Sequence, residues 1–134
     1  MTLVEVLHKP RRHRPMPPVY DDTARICWLM EVAIAAAFAV PVDEMRAPSR
    51  RTAAVAFARQ SAMYLAHVVL RLDYSTTGQL FRRDRTTAAH ACQLVEERRD
   101  DPAIDRLLYM LEDVCGDLAR GIDARPQVRP QVRP

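Results

Sequence analysis

The chain has 134 residues, enough for one domain with a proper core plus tails. About half of them are apolar (49%), only three are glycine, and alternating runs are almost absent, which excludes a sheet-rich fold and predicts an all-α domain. The net charge of +3 hides a segregation. Residues 46–85 carry eight arginines against Asp73 and Asp84, and residues 96–121 carry eight acids against four arginines, so a polyanion would attract the first segment and be repelled by the second.

Residues 1–20 include His-Lys-Pro-Arg-Arg-His-Arg-Pro-Met-Pro-Pro (8–18), which can form neither helix nor sheet and reads as a flexible basic arm. A folded unit is expected over 21–121. Its first helix is placed from Asp22 or Thr23 to about Ala39, with Ile26, Leu29, Met30, Ala33, Ile34 and Phe38 as its buried stripe and Trp28 also in the core. Pro41 closes it, and 42–46 is a short turn or helix. A loop over 47–51 leads into a long helix over 52–72 bearing Val55, Met63, Leu65, Ala66 and Val69. Ser75 is read as the cap of a one- or two-turn helix ending at Phe81, and a second helix follows from Arg85 to about Glu97. Asp101-Pro102 is a strong start signal for the last helix. That helix has Ile104, Leu107, Leu108, Leu111, Val114, Cys115 and Leu118 at core spacing, and Gly121 is expected to end it. Residues 122–134, with the repeat Arg-Pro-Gln-Val-Arg-Pro, read as an extended, solvated tail.

Two helices joined by a three- or four-residue turn and flanked by longer supports describe a helix-turn-helix. Arg82, Arg83 and Arg85 crowd the start of its second helix. The unpaired backbone N–H groups already make that end partly positive, so the arginines fit best if an anion sits there. A run of phosphates with base edges beyond them is the natural candidate.

Cys27, Cys92 and Cys115 are far apart, without a CxxC or a histidine at ligand spacing. They read as buried, reduced thiols of a cytosolic, nucleoid-associated protein, and no metal or other cofactor is expected. The apolar run 32–42 is too short to span a membrane and contains Pro41. The first seven residues lead into a polar, Pro-rich stretch instead of the apolar core of a secretory signal. No nucleophile–base or carboxylate constellation surrounds His90, so no enzyme is expected.

The stretch Arg50-Arg51, then Ala58-Arg59-Gln60-Ser61-Ala62-Met63-Tyr64-Leu65, then Gly78-Gln79-Leu80-Phe81 and Arg83-Asp84-Arg85-Thr86-Thr87-Ala88-Ala89-His90-Ala91-Cys92 resembles domain IV of the bacterial replication initiator DnaA, the C-terminal domain that binds the DnaA box. The likeness covers about residues 22–121 and lacks the initiator's ATPase domain. It implies a helical domain with a helix-turn-helix in a Trp-repressor-like arrangement. It also implies that Arg51, beside Arg50, enters a narrow minor groove, where negative potential concentrates. Arg59 and Gln60 correspond to residues that grip phosphates. Asp84 fits either a base reader, accepting from a cytosine amino group, or a helix cap. Thr86 and Thr87 match a pair able to meet a thymine methyl and a phosphate, and His90 fits a phosphate contact or packing. Ser75 and Arg82 complete the expected DNA-facing set.

This chain departs from the family at four places. Arg85 stands for a histidine, Arg82 remains in the turn where glycines are usual, Thr77 replaces an aliphatic residue, and His67 a lysine. Arg85 can fork onto guanine O6 and N7, which implies a target related to the standard box but different from it. The resemblance implies a stand-alone, sequence-specific regulator of transcription, of the kind that activates gene-transfer-agent or prophage-like clusters. Such a protein would bind double-stranded DNA as a monomer, cooperatively on neighbouring sites, and would engage RNA polymerase or a co-activator. The competing reading is a helical protein-interaction module that modulates the initiator or the polymerase without touching DNA.

Overall fold

The computed structural model describes residues 18–47 and 52–123, with side chains described for 22–47 and 52–121. Most of the arm, all of the tail beyond Asp123, and Arg50 and Arg51 therefore lie outside the described residues. Within them the protein is all-α: α1 (Pro18–Phe38), α2 (Val42–Arg46), α3 (Ala53–Leu70), α4 (Tyr74–Leu80), α5 (Arg85–Arg98) and α6 (Pro102–Asp123).

The central element is α3. Thr52 caps its start, accepting a hydrogen bond from the Val55 N–H at 3.2 Å. Ten of its eighteen residues are buried. By length and composition α3 could cross a membrane, but its burial identifies it as the core helix of this fold. All the other helices pack on it, and α1 and α6 also pack on each other. Met30 and Ile34 of α1, Leu65 and Ala66 of α3, Val95 of α5 and Leu108 and Cys115 of α6 form the shared core, essentially without exposure. All three cysteines are buried free thiols. Loss of hydration pushes Cys27 and Cys115 up to about 12 and Cys92 up to about 11.

Several boundaries differ from those read in the sequence. Helix α1 begins at Pro18, not at Asp22 or Thr23, because proline presets φ and its missing N–H is no loss in a first turn. It ends with the Val40 N–H donating to Ala35 O at 3.0 Å and the Ala39 N–H to Ala36 O at 3.2 Å, with Ala39 at φ 53°. This is a Schellman closure with alanine where glycine is usual. Asp73, not Ser75, caps α4, accepting from the Thr76 N–H at 2.7 Å; Ser75 lies inside the first turn, exposed. Gly121 does not stop α6, which runs to Asp123; none of the described glycines takes the positive φ that a glycine stop requires.

Two expected core residues sit at the surface. Trp28 is 38% exposed beneath the Arg46 guanidinium, 4.0 Å from the ring centroid, and Arg46 is also ion-paired with buried Glu31 at 2.6 Å. Val114 is 39% exposed, on the same face of α6 as Met110. Spacing alone does not say how wide a stripe the neighbours cover.

Candidate nucleic-acid interface

Helices α4 and α5 and the turn between them form the helix-turn-helix. The turn is tight: the Phe81 N–H donates to Thr77 O at 3.1 Å, Arg82 N–H to Gln79 O at 3.2 Å and Arg83 N–H to Gly78 O at 2.7 Å. Arg82 takes the left-handed φ of 57° that a glycine would adopt without strain. Gly78 is needed for a different reason. A Cβ there would lie 2.7 Å from Arg83 O and 2.9 Å from Asp84 O, so only glycine lets the turn close onto α4.

Asp84 resolves as the N-cap of α5, its Oδ1 accepting from the Thr87 N–H at 2.7 Å. That hydrogen bond holds the Asp84 carboxyl below the usual carboxylate range. The cap also sets the first turn: Arg85, Thr86 and Thr87 are all exposed, as are Arg82 and, one turn on, His90. The acidic α6 packs against α1 and α3 and does not cover this tip. Its acids are partly neutralised internally. Arg99 donates to Asp105 at 2.6 Å and to Glu112, and also to Tyr64 Oη at 3.0 Å, while Tyr64 donates to Glu96 of α5 at 2.9 Å.

The arginines expected on DNA divide into two sets. Arg82 and Arg85 face solvent. Arg59, read as a phosphate grip, is only 9% exposed and turns inward. Its Nε donates to Met45 O at 2.7 Å, and its Nη2 to Glu44 O at 3.2 Å and Ala47 O at 3.0 Å. So short a helix has few backbone partners for the carbonyls at its end, and the guanidinium adds donors to Met45 O and Ala47 O and a second donor to Glu44 O, which also accepts from the Ala47 N–H. Arg83, half-buried, donates from Nη2 to the same Ala47 O at 3.1 Å. One arginine from α3 and one from the turn thus converge on the last described residue before Arg50 and Arg51. Gln60, half-buried, lines a shallow groove between α3 and α5 together with Arg83, Thr87 and His90.

The structure therefore brings Gln60, Arg83, Thr87 and His90 together, and presents Arg82, Arg85 and Thr86 beside them. Ser75 is exposed near the head of α4. Sequence reasoning missed Gln93, which shares the exposed face of α5 with Thr86 and His90; the i, i+4, i+7 spacing was the available signal. It also missed the stack of Arg46 on Trp28. Among the described residues no group of three or more His, Cys, Asp or Glu side chains is placed to hold a metal.

Comparison with known proteins agrees with this geometry. Residues 30–95 match the family described as "Bacterial dnaA protein helix-turn-helix". The chain is 36% identical over 80 residues to chromosomal replication initiator protein DnaA 1 of Protochlamydia amoebophila (strain UWE25), a match that takes in 59% of this chain and 18% of that protein. A solved structure titled as that of a DNA replication initiation factor superposes with a TM-score of 0.64 at 27% identity, over 72% of this chain and 30% of that one. The chain thus spans less than a third of the length of either relative. What it shares with them is the fold and the helix-turn-helix described above: the chain carries a helix-turn-helix domain like DnaA domain IV, matched over residues 30–95.

Proposed function

We propose that this chain binds double-stranded DNA sequence-specifically and regulates transcription from the sites it recognises. One observation carries the reading. The capped first turn of α5 presents Arg85, Thr86 and Thr87 to solvent, with Arg82 beside them and the acidic helix packed elsewhere. Exposed arginines at a helix N-terminus repel the backbone dipole unless an anion is received there, and a duplex supplies phosphates with base edges behind them. In this reading α5 lies in the major groove. Gln60, Thr87 and His90 face the phosphates of one groove wall, and Arg85 forks onto guanine. Arg59 and Arg83 act indirectly, by fixing the end of the 44–47 segment from which Arg50 and Arg51 reach the minor groove. The flanking Arg- and Pro-rich residues 1–17 and 124–134 add sequence-independent attraction.

Regulation requires contact with the transcription machinery. Tyr109, Met110 and Val114, exposed on α6 amid Asp113 and Asp117, offer a surface to RNA polymerase or a co-activator. The same patch is the observation that favours the second reading, a module that binds a protein partner alone. Selection of duplexes from a random pool separates the two, because the module selects none. A promoter carrying the selected site is then transcribed with and without the chain; unchanged output refutes the regulatory role. Arg85→Ala is expected to lose discrimination at one base pair by about 1–3 kcal/mol while keeping non-specific affinity. Equal loss on every duplex contradicts the role given to Arg85.

A further inference from the structure

The exposed face of α5 continues beyond its first turn. Thr86, His90, Gln93 and Glu97 are all exposed, while Ala88, Ala91, Cys92 and Val95 face the core. At 3.6 residues per turn the four exposed positions fall within about 60° of one another around the helix. They form a ridge between two shallow grooves, one lined by Gln60, Arg83 and Thr87 and the other by Tyr64, His67 and Tyr74. His90 lines both. A ridge flanked by grooves suits insertion between two phosphate strands.

Gln93 is the one carboxamide on this ridge; its amide N–H and carbonyl oxygen lie side by side on one planar group, the arrangement that pairs bidentately with adenine N6 and N7. Its Nε2 lies 3.4 Å from Glu97 Oε1, a long contact that biases the amide along the ridge. Glu97 is a carboxylate, which a phosphate strand repels, so it marks where the helix leaves the duplex.

We infer that Gln93 is a specificity-determining residue that reads an adenine in the major groove. The inference rests on the DNA-binding reading above. Eight residues separate Gln93 from Arg85, about 12 Å along the helix axis at ~1.5 Å per residue. At ~3.4 Å per base pair the two side chains address positions up to about three to four base pairs apart, fewer the more α5 is inclined to the duplex axis.

The test is selection from a random duplex pool with the wild-type chain, Gln93→Ala and Gln93→Glu, each checked for unchanged urea unfolding because the position is exposed. Gln93→Ala should lose preference for adenine at one position, about 5- to 100-fold, and leave the rest of the site intact. Gln93→Glu should shift that same position toward cytosine, whose amino group a carboxylate accepts. An unchanged site in both variants overturns the proposal while the DNA-binding reading stands. Weakening that is uniform over all sequences also overturns it, since Gln93 would then contact only phosphate. If the wild-type chain selects no site, both fall together.

Discussion

Substituting Gly78 by alanine sets two physical effects against each other. Gly78 lies inside α4 with an ordinary helical φ, so helix propensity alone favours alanine, by about 0.8–1.0 kcal/mol. The added Cβ, however, meets Arg83 O at 2.7 Å, Asp84 O at 2.9 Å and Asp84 C at 3.0 Å. To regain ordinary contact near 3.4 Å, the Arg83 carbonyl must retreat by about 0.7 Å and that of Asp84 by about 0.5 Å. These are backbone atoms in a turn fixed by the 2.7 Å bond from Arg83 N–H to Gly78 O, and no side-chain rotation can relieve them. Overpacking costs about 1–3 kcal/mol, and two backbone carbonyls displaced together put this site in the upper half of that range, about 2–3 kcal/mol, so after the propensity gain the variant should be less stable by about 1–2 kcal/mol. The start of α5 must shift with the turn, so affinity for a selected duplex should fall as well. Urea unfolding followed by far-UV circular dichroism gives the first quantity, and fluorescence anisotropy with labelled DNA the second. A Gly78→Ala protein as stable as the wild type, or more stable, refutes the close approach on which this description of the turn rests.

Three further predictions follow from the same structure. Thr77 is fully buried with a hydroxyl that has no hydrogen-bond partner, so Thr77→Val, nearly isosteric, should raise stability by about 1 kcal/mol in urea unfolding; a loss means the hydroxyl is paired. Arg59→Ala removes the guanidinium from Met45 O and leaves Glu44 O and Ala47 O with only the Ala47 N–H and Arg83 Nη2, and should cost about 1–3 kcal/mol, more than the ~0.5 kcal/mol of a surface change. An unchanged melting temperature with a flatter salt dependence of DNA binding would place Arg59 on phosphate instead. The Asp84 carboxyl is held below its ordinary range by the Thr87 N–H, so its capping contribution is complete above the unfolded value near 4 and disappears as pH falls through the lowered folded value. Thermal melts between about pH 2 and 6 should therefore show acid destabilisation that Asp84→Ala reduces; identical pH profiles contradict the cap.

Much of this architecture was legible because its determinants are local. Thr52 caps α3 and Asp84 caps α5 where the sequence places their starts, and Pro102 opens α6 as expected. The helix-turn-helix follows from short spacing alone, and the exposed tip of Arg85, Thr86 and Thr87 follows from the cap. What escaped the sequence depends on distant contacts or on choices between equivalent local signals. Asp73 and Ser75 are both good caps, and the Asp73 oxygen is the one that reaches the Thr76 N–H. Arg59 reads as surface charge until the end of α2 and its cap bring three carbonyls within reach of its guanidinium. Trp28 satisfies the apolar period of α1, yet the Arg46–Glu31 pair gives it a polar cover instead of a packed one. Among the described residues the left-handed positions fall on Ala39, Arg71 and Arg82, none of them the glycine that the rules favour, and each is held by the helix end or turn around it.

The central claim is that the arginine-bearing tip of α5 meets a duplex. Titration of a fluorescent double-stranded DNA at several salt concentrations, starting from low ionic strength, tests it most directly. Each phosphate neutralised contributes about −0.9 to the slope of log affinity against log salt, so binding through Arg82 and the basic residues around it should give a slope of about −3 or steeper, while Arg85→Ala weakens the selected duplex alone and leaves that slope in place. Failure to bind any duplex at low salt, or binding indifferent to both salt and Arg85, contradicts the account.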